Sequence, residues 1–252
     1  MQINEKVSRV STRGYYDLLT GKRLKDNSYY LYPAKHFANL SVPEVVIMVH
    51  GLRNNKQDAV AKFIITRKRL KQLHYNYSVI GYSYDSNTKG AHVKKTALRA
   101  LRIGQKIAEQ NGKHLAQFIL DFKKKNPKTK IRLMGHSLGS QVILSAIRNM
   151  SSKKNTKNII ESVYFFGASI VDDSVHPKKD GKHVQKVVHK KIKNYYCPTD
   201  NVLKEAEKER SVKLSIGLYG AKGKTISKYS QKRVFPKNHR FASYAAALKS
   251  FP

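Results

Sequence analysis

Lys130-Ile-Arg-Leu-Met134 runs straight into Gly135-His136-Ser137-Leu138-Gly139, and Leu138 to Met150 follows with Val142, Ile143, Ala146 and Ile147 at helical spacing. The first five residues predict a short strand, and the last thirteen a helix. Between them a serine is flanked by glycines. A Gly-x-Ser-x-Gly match alone is weak evidence, but a strand before it and a helix after it give it weight. In that strand-turn-helix the turn is tight, side chains are crowded out at the glycines, and the serine projects from the edge of a sheet. Ser137 is therefore the candidate nucleophile.

Outward from this turn, strands and helices alternate. Val45-Val-Ile-Met-Val49 is a β-branched run typical of a strand buried on both faces, and it ends at His50-Gly51. A helix is predicted from Asn55 to about Leu73, a strand over Tyr77–Tyr84, and a long helix from about Thr96 to Lys125. That helix is expected to break near Asn111-Gly112 and to stop at Asn126-Pro127. Strands at Ile159–Phe166 and Lys191–Tyr196, a helix at Asn201–Arg210, a strand at Val212–Tyr219 and a terminal helix at Arg240–Lys249 complete the pattern. Such alternation predicts βαβ units: an α/β fold whose mostly parallel sheet of six to eight strands carries helices on both faces.

The whole chain, 1–252, reads as one domain. Residues 1–43 form a lead-in segment with a hairpin suggested by Gly21 and Tyr29–Tyr32. The stretches 172–190 and 220–238 are rich in lysine and poor in apolar residues, and are expected to be the least structured. The first of them would suit a small flap over the site.

With Val-Ile-Met-Val-His50-Gly51 early and Gly-His-Ser-Leu-Gly later, the chain resembles the lipase/esterase branch of the α/β-hydrolase superfamily, from about Glu44 to its C-terminus. The resemblance implies a serine hydrolase with a nucleophile elbow and a catalytic triad in the chain order serine, acid, histidine. Of ten histidines only His239 follows Asp200, so His239 is the expected base. Asp200, after the strand Lys191–Tyr196, is the preferred acid, with Asp172 and Asp173 as alternatives one strand earlier. Carried over in the same way, the backbone N–H groups of Leu52 and Leu138 form the oxyanion hole. His136 is expected to point away from the chemistry.

The implied activity is cleavage of a small-molecule or polymeric carboxylic ester through an acyl-enzyme. Thioesterase, lactone-hydrolase and acyltransferase activities use the same parts. No organic cofactor is called for, and no zinc or calcium cluster stands out; His176, His183 and His189 are poorly spaced for a shared metal. The single Cys197 leaves no internal disulfide framework.

Charge is the anomaly. Fifty Lys and Arg against sixteen Asp and Glu give a formal net charge of +34. A field of this sign draws polyanions or anionic surfaces, so a non-catalytic basic scaffold binding nucleic acid or anionic membranes is the rival reading. No zinc-finger spacing or RNA-binding aromatic box accompanies the charge. No apolar run approaches the roughly 20 residues of a membrane span. Met1 to Val10 lacks the apolar core of a secretory signal, so a cytoplasmic location is expected; a mature secreted form would read the same. The sequence assigns no oligomeric state.

Overall fold

In the computed structural model, which describes residues 7–38, 40–208 and 214–252, one sheet of eight strands forms the centre. Its strands are β1 (Arg9–Ser11), β2 (Tyr30–Tyr32), β3 (Glu44–Val49), β4 (Ser78–Ser83), β5 (Lys130–His136), β6 (Ile160–Phe166), β7 (Val188–Tyr196) and β8 (Tyr229–Arg233). Their spatial order is β2-β1-β4-β3-β5-β6-β7-β8, and every pair is parallel except β1 with β2. The helices are α1 (Ala34–Ala38), α2 (Lys56–Gln72), α3 (Lys94–Lys125), α4 (Gly139–Ser151), α5 (Gly181–Val187), α6 (Asn201–Lys208), α7 (Ile216–Tyr219) and α8 (Phe241–Ala247).

Both faces of the sheet are covered because alternate residues of a strand point to opposite sides. Val45, Ile47 and Val49 join Ile131, Leu133 and residues of α3, α4 and α5 in one core cluster. Val46 and Met48 join Met134, Tyr164, Phe166 and residues of α2 and α8 in the other. Asn55 starts α2 with a capping box: its side chain accepts from Asp58 N–H, and the Asp58 carboxylate accepts from Asn55 N–H.

The long helix α3 is unbroken, contrary to the expected interruption at Asn111-Gly112. The Asn111 side chain is satisfied inside the core, accepting from Thr12 and Tyr82 hydroxyls and donating to Ile107 O. Gly112 sits where a Cβ would fall on Ser145 of α4. The glycine marks a close approach of two helices, not a break.

The lead-in contributes the β1–β2 antiparallel pair at the sheet edge, with β1 parallel to β4. Three expectations on the C-terminal side need correction. The stretch 172–190 holds α5, whose Val184 and Val187 are buried in the core, and β7 already begins at Val188. The strand expected at Val212–Tyr219 is instead the short helix α7, capped by Ser215, whose hydroxyl accepts Gly217 N–H; residues 212 and 213 lie outside the described residues, as do 209 and 210 at the end of the helix expected to reach Arg210. Gly217 packs against the backbone of Gly167 and Ala168, so Ile216 and Leu218 are buried by a helical turn. The last strand is β8, inside a stretch expected to be unstructured. With one sheet neighbour and mostly exposed side chains, Tyr-Ser-Gln-Lys-Arg has almost no apolar pattern to read. Among the described residues, no helix is long and apolar enough to cross a membrane.

Candidate active site

Between β5 and α4, Ser137 adopts φ +51°, a left-handed conformation that a non-glycine residue takes only when its surroundings over-determine it. Here the surroundings do so. Ser137 N–H donates to Phe166 O at 3.0 Å, and Ser137 O accepts from Ser140 N–H (3.0 Å), Ser140 Oγ (2.6 Å) and Ser169 N–H (3.2 Å). At Gly139 a Cβ would fall on Val49 O, and at Gly51 a Cβ would lie 2.9 Å from Ser137 Cβ. The end of β3 thus presses directly on the serine turn.

His239 lies in the loop between β8 and α8. Its Nε2 is 2.8 Å from Ser137 Oγ, and its Nδ1 is 2.6 Å from Asp200 Oδ2. A carboxylate only accepts, so Nδ1 carries the proton and Nε2 is free to accept from the Ser137 hydroxyl. Asp200, its side chain fully buried, precedes α6. Its Oδ1 accepts Val202 N–H (3.1 Å) and Leu203 N–H (3.2 Å), and Tyr244 of α8 donates its hydroxyl to Oδ2 at 2.7 Å. Burial works against ionisation, yet the bonds from His239, Tyr244 and Leu203 hold the Asp200 pKa below the ordinary carboxylate value. The alternative acids lie elsewhere: Asp173 faces Lys179 at 3.8 Å, and Asp172 is held through its N–H to Leu214 O.

The sequence missed two supporting residues. His136, expected to point away, turns back under His239: its Nε2 is 2.8 Å from the His239 main-chain oxygen, and the two rings are 5.0 Å apart. A carbonyl only accepts, so His136 is the Nε2–H tautomer. Burial first, and the nearby His239 second, push its pKa down to about 3 and keep it neutral. Tyr244 lies across Gly167, where φ is +51° and a Cβ would come within 2.8 Å of its ring. No residue pattern announces either contact, because each depends on how α8 docks.

The loop after β3 carries Leu52. Asn54 Nδ2 donates to Gly51 O (2.9 Å) and Leu52 O (2.7 Å), and Arg53, at φ +58°, donates its N–H to Ser86 O. His50 stacks on Tyr84 at 4.6 Å and accepts Tyr84 N–H at Nε2. Arg13 of the lead-in donates to Asn54 O and Asn55 O. Among the described residues no acceptor meets the N–H of Leu52 or of Leu138. Both side chains pack toward Gly104 of α3. Two N–H donors are therefore available in the segments that converge on Ser137.

Among the described residues no group of three or more His, Cys, Asp or Glu is arranged to hold a metal ion. The three lysine-flanked histidines are dispersed: His183 meets Ser151 Oγ, His189 meets Glu161, and His176 accepts Lys178 N–H.

Residues 33–216 match the profile of a family described as "Alpha/beta hydrolase of unknown function (DUF900)". Over 97 residues, 38% of this chain, the sequence is 35% identical to the Caenorhabditis elegans protein named "Uncharacterized membrane protein F35D11.3"; the chain spans only 15% of that protein. Similar solved structures include an esterase from an Arctic intertidal metagenomic library, 13% identical with TM-score 0.44 over 84% of this chain and 79% of that one. A Xanthomonas campestris protein described as an α/β serine hydrolase without lid is 10% identical, with TM-score 0.43 over 82% and 78%. A Trichoderma reesei cutinase is 20% identical, with TM-score 0.33 over 57% and 59%. The family match extends over most of the chain, from before β3 to the start of α7, and includes the Ser137 turn and Asp200: the chain belongs to this family of α/β hydrolases.

Proposed function

We propose that the protein is a serine hydrolase that cleaves carboxylic esters through an acyl-enzyme. The observation that carries this reading is the unbroken line Ser137 Oγ, His239, Asp200, at 2.8 and 2.6 Å, ending on a serine held at positive φ. The Ser137 hydroxyl gives its proton to His239 Nε2 as Oγ attacks the ester carbonyl carbon. The tetrahedral oxyanion accepts from the N–H groups of Leu52 and Leu138; donors fixed in advance are worth several kcal/mol of barrier. Asp200, ionised and anchored by Tyr244, stabilises the imidazolium and keeps its tautomer. His239 then returns the proton to the departing alcohol. In the second half, water loses a proton to His239 and attacks the acyl carbon, which releases the acid and regenerates Ser137. Thioesters, lactones and acyl transfer to an alcohol obey the same proton bookkeeping, so the acyl donor defines the specificity within this class.

The test is steady-state hydrolysis of a small chromogenic ester by wild type, Ser137→Ala, His239→Ala and the double variant. Residues acting as one unit give losses of several orders of magnitude that do not add. Wild-type turnover no faster than that of Ser137→Ala would overturn the proposal.

A further inference from the structure

Basic residues are dispersed along the whole chain, and what distinguishes its C-terminal part is where they meet exposed apolar side chains. Residues 214–252 contain eight Lys and Arg and no Asp or Glu. Of these, residues 214–239 build α7, β8 and the loop to His239 on the side of the sheet formed by β7 and β8, whereas α8 packs on α2. On that side the segments after β6, β7 and β8 also leave large apolar side chains in water. Val171, Val202, Leu214 and Tyr219 are exposed, and Phe235 is 73% exposed.

These residues belong to connected segments. Asp172 N–H donates to Leu214 O, and Val171 bridges Ser215, so Val171 and Leu214 sit on adjoining strands of chain. Gly217 O accepts Cys197 N–H, which ties α7 to the end of β7, and Ala221 N–H donates to Gln231 of β8. Cations are interleaved with the rings: Lys222 Nζ lies 5.3 Å from the Tyr219 ring centre, and the Arg233 guanidinium 5.0 Å from that of Phe235. Among the described residues no carboxylate pairs with Lys222, Lys232, Arg233, Lys237 or Arg240. Among the described residues the acids of these segments include Asp200, paired with His239, Asp172, Asp173 with Lys179 opposite, and Glu205 and Glu207 on α6, where Lys208 faces Glu205 and Glu207 meets the Tyr219 hydroxyl.

We infer that this rim, centred on Arg233-Val-Phe235-Pro-Lys237, docks on an anionic lipid surface, with the edge that carries Ser137 turned toward it. Apolar tips flanked by unpaired cations are the composition that enters the headgroup boundary of a bilayer. Phosphates of a nucleic acid would use the cations but have no use for the exposed Val171, Val202 and Leu214. The chain needs no membrane-spanning segment for this attachment. Each basic side chain near an anionic surface strengthens partitioning about fivefold, and the attraction decays within roughly 10 Å at 0.1 M salt.

Binding is separable from catalysis, so the experiment uses Ser137→Ala. Co-sedimentation with phosphatidylcholine vesicles containing phosphatidylserine is compared with pure phosphatidylcholine, at low and moderate salt. Expected is binding to the anionic vesicles only, weakened by salt. Arg233→Gln/Lys237→Gln should weaken it on the order of 25-fold, and Phe235→Ala on the order of tenfold. On the Ser137 parent these variants should leave turnover of a small neutral ester unchanged. No binding to anionic vesicles overturns the inference. So does tighter binding to a DNA duplex with no effect of Phe235→Ala, which would mark a polyanion site instead.

Discussion

The imidazole of His136, one residue before the candidate nucleophile, donates from Nε2 to the main-chain oxygen of His239 at 2.8 Å. The serine turn and the His239 loop are thereby joined by a bond that involves neither Ser137 Oγ nor the His239 ring. His136 is buried and neutral, so the bond persists across the working pH range. It fixes the height of the His239 backbone above Ser137 and with it the 2.8 Å contact at Oγ.

Replacing His136 by Leu leaves that carbonyl buried without a donor, at a cost of about 1–3 kcal/mol. The expected outcome is a kcat lower by roughly ten- to a hundredfold with KM little changed, because a displaced base affects the transition state more than binding. His136→Gln, which can still donate, should recover part of the loss. A purely structural role would lower the melting temperature of both variants without separating their kcat values.

Tyr244→Phe removes one of the bonds that hold Asp200 ionised. Stability should fall by about 1 kcal/mol, and kcat severalfold. In an Asp200→Asn background the same change should cost little further activity, since the group it supports is already altered. Steady-state kinetics of the double-mutant cycle read this directly.

Acid should destabilise the fold through its buried histidines. His136 is pushed down to about 3, His114 to about 4 and His50 well below the ordinary value, in each case first by burial. Between the unfolded value of about 6.5 and these folded values, the unfolded chain binds protons that the folded one refuses. Stability therefore falls as the pH drops through that window, by about 1.4 kcal/mol per pH unit for each histidine. Asp200, whose pKa is depressed, adds to the loss only below about pH 4. Urea unfolding at pH 7 and pH 5 should show the slope, and His136→Gln should make it shallower by about one histidine's share.

Gly112→Ala tests the reading of α3. A helix with a weak point there would gain stability from alanine, roughly 0.5–1 kcal/mol. The close approach to Ser145 predicts the opposite: a loss of about 1–3 kcal/mol from overpacking α3 against α4.

What the sequence carried were the elements with strong patterns. The run Val45–Val49 and the Ser137 turn are local signals, and each corresponds to an observed element; Asp200 and His239 are expected from the chain order that the resemblance implies, and their side chains meet at 2.6 Å. The edge was harder to read. β8 has one neighbour and exposed side chains, so burial never wrote an apolar period into it. α7 spans four residues, too few to show a helical period, and its apolar alternation imitates a strand. His136 and Tyr244 act through a backbone carbonyl and a carboxylate that only the docking of α8 brings within reach, and no spacing along the chain encodes that.

The most direct measurement is covalent labelling with a fluorophosphonate, followed by peptide mapping by mass spectrometry. The account predicts one adduct, on Ser137, formed rapidly by wild type and slowed by orders of magnitude in His239→Ala. A folded wild-type protein that stays unlabelled, or carries its adduct on another residue, would contradict it.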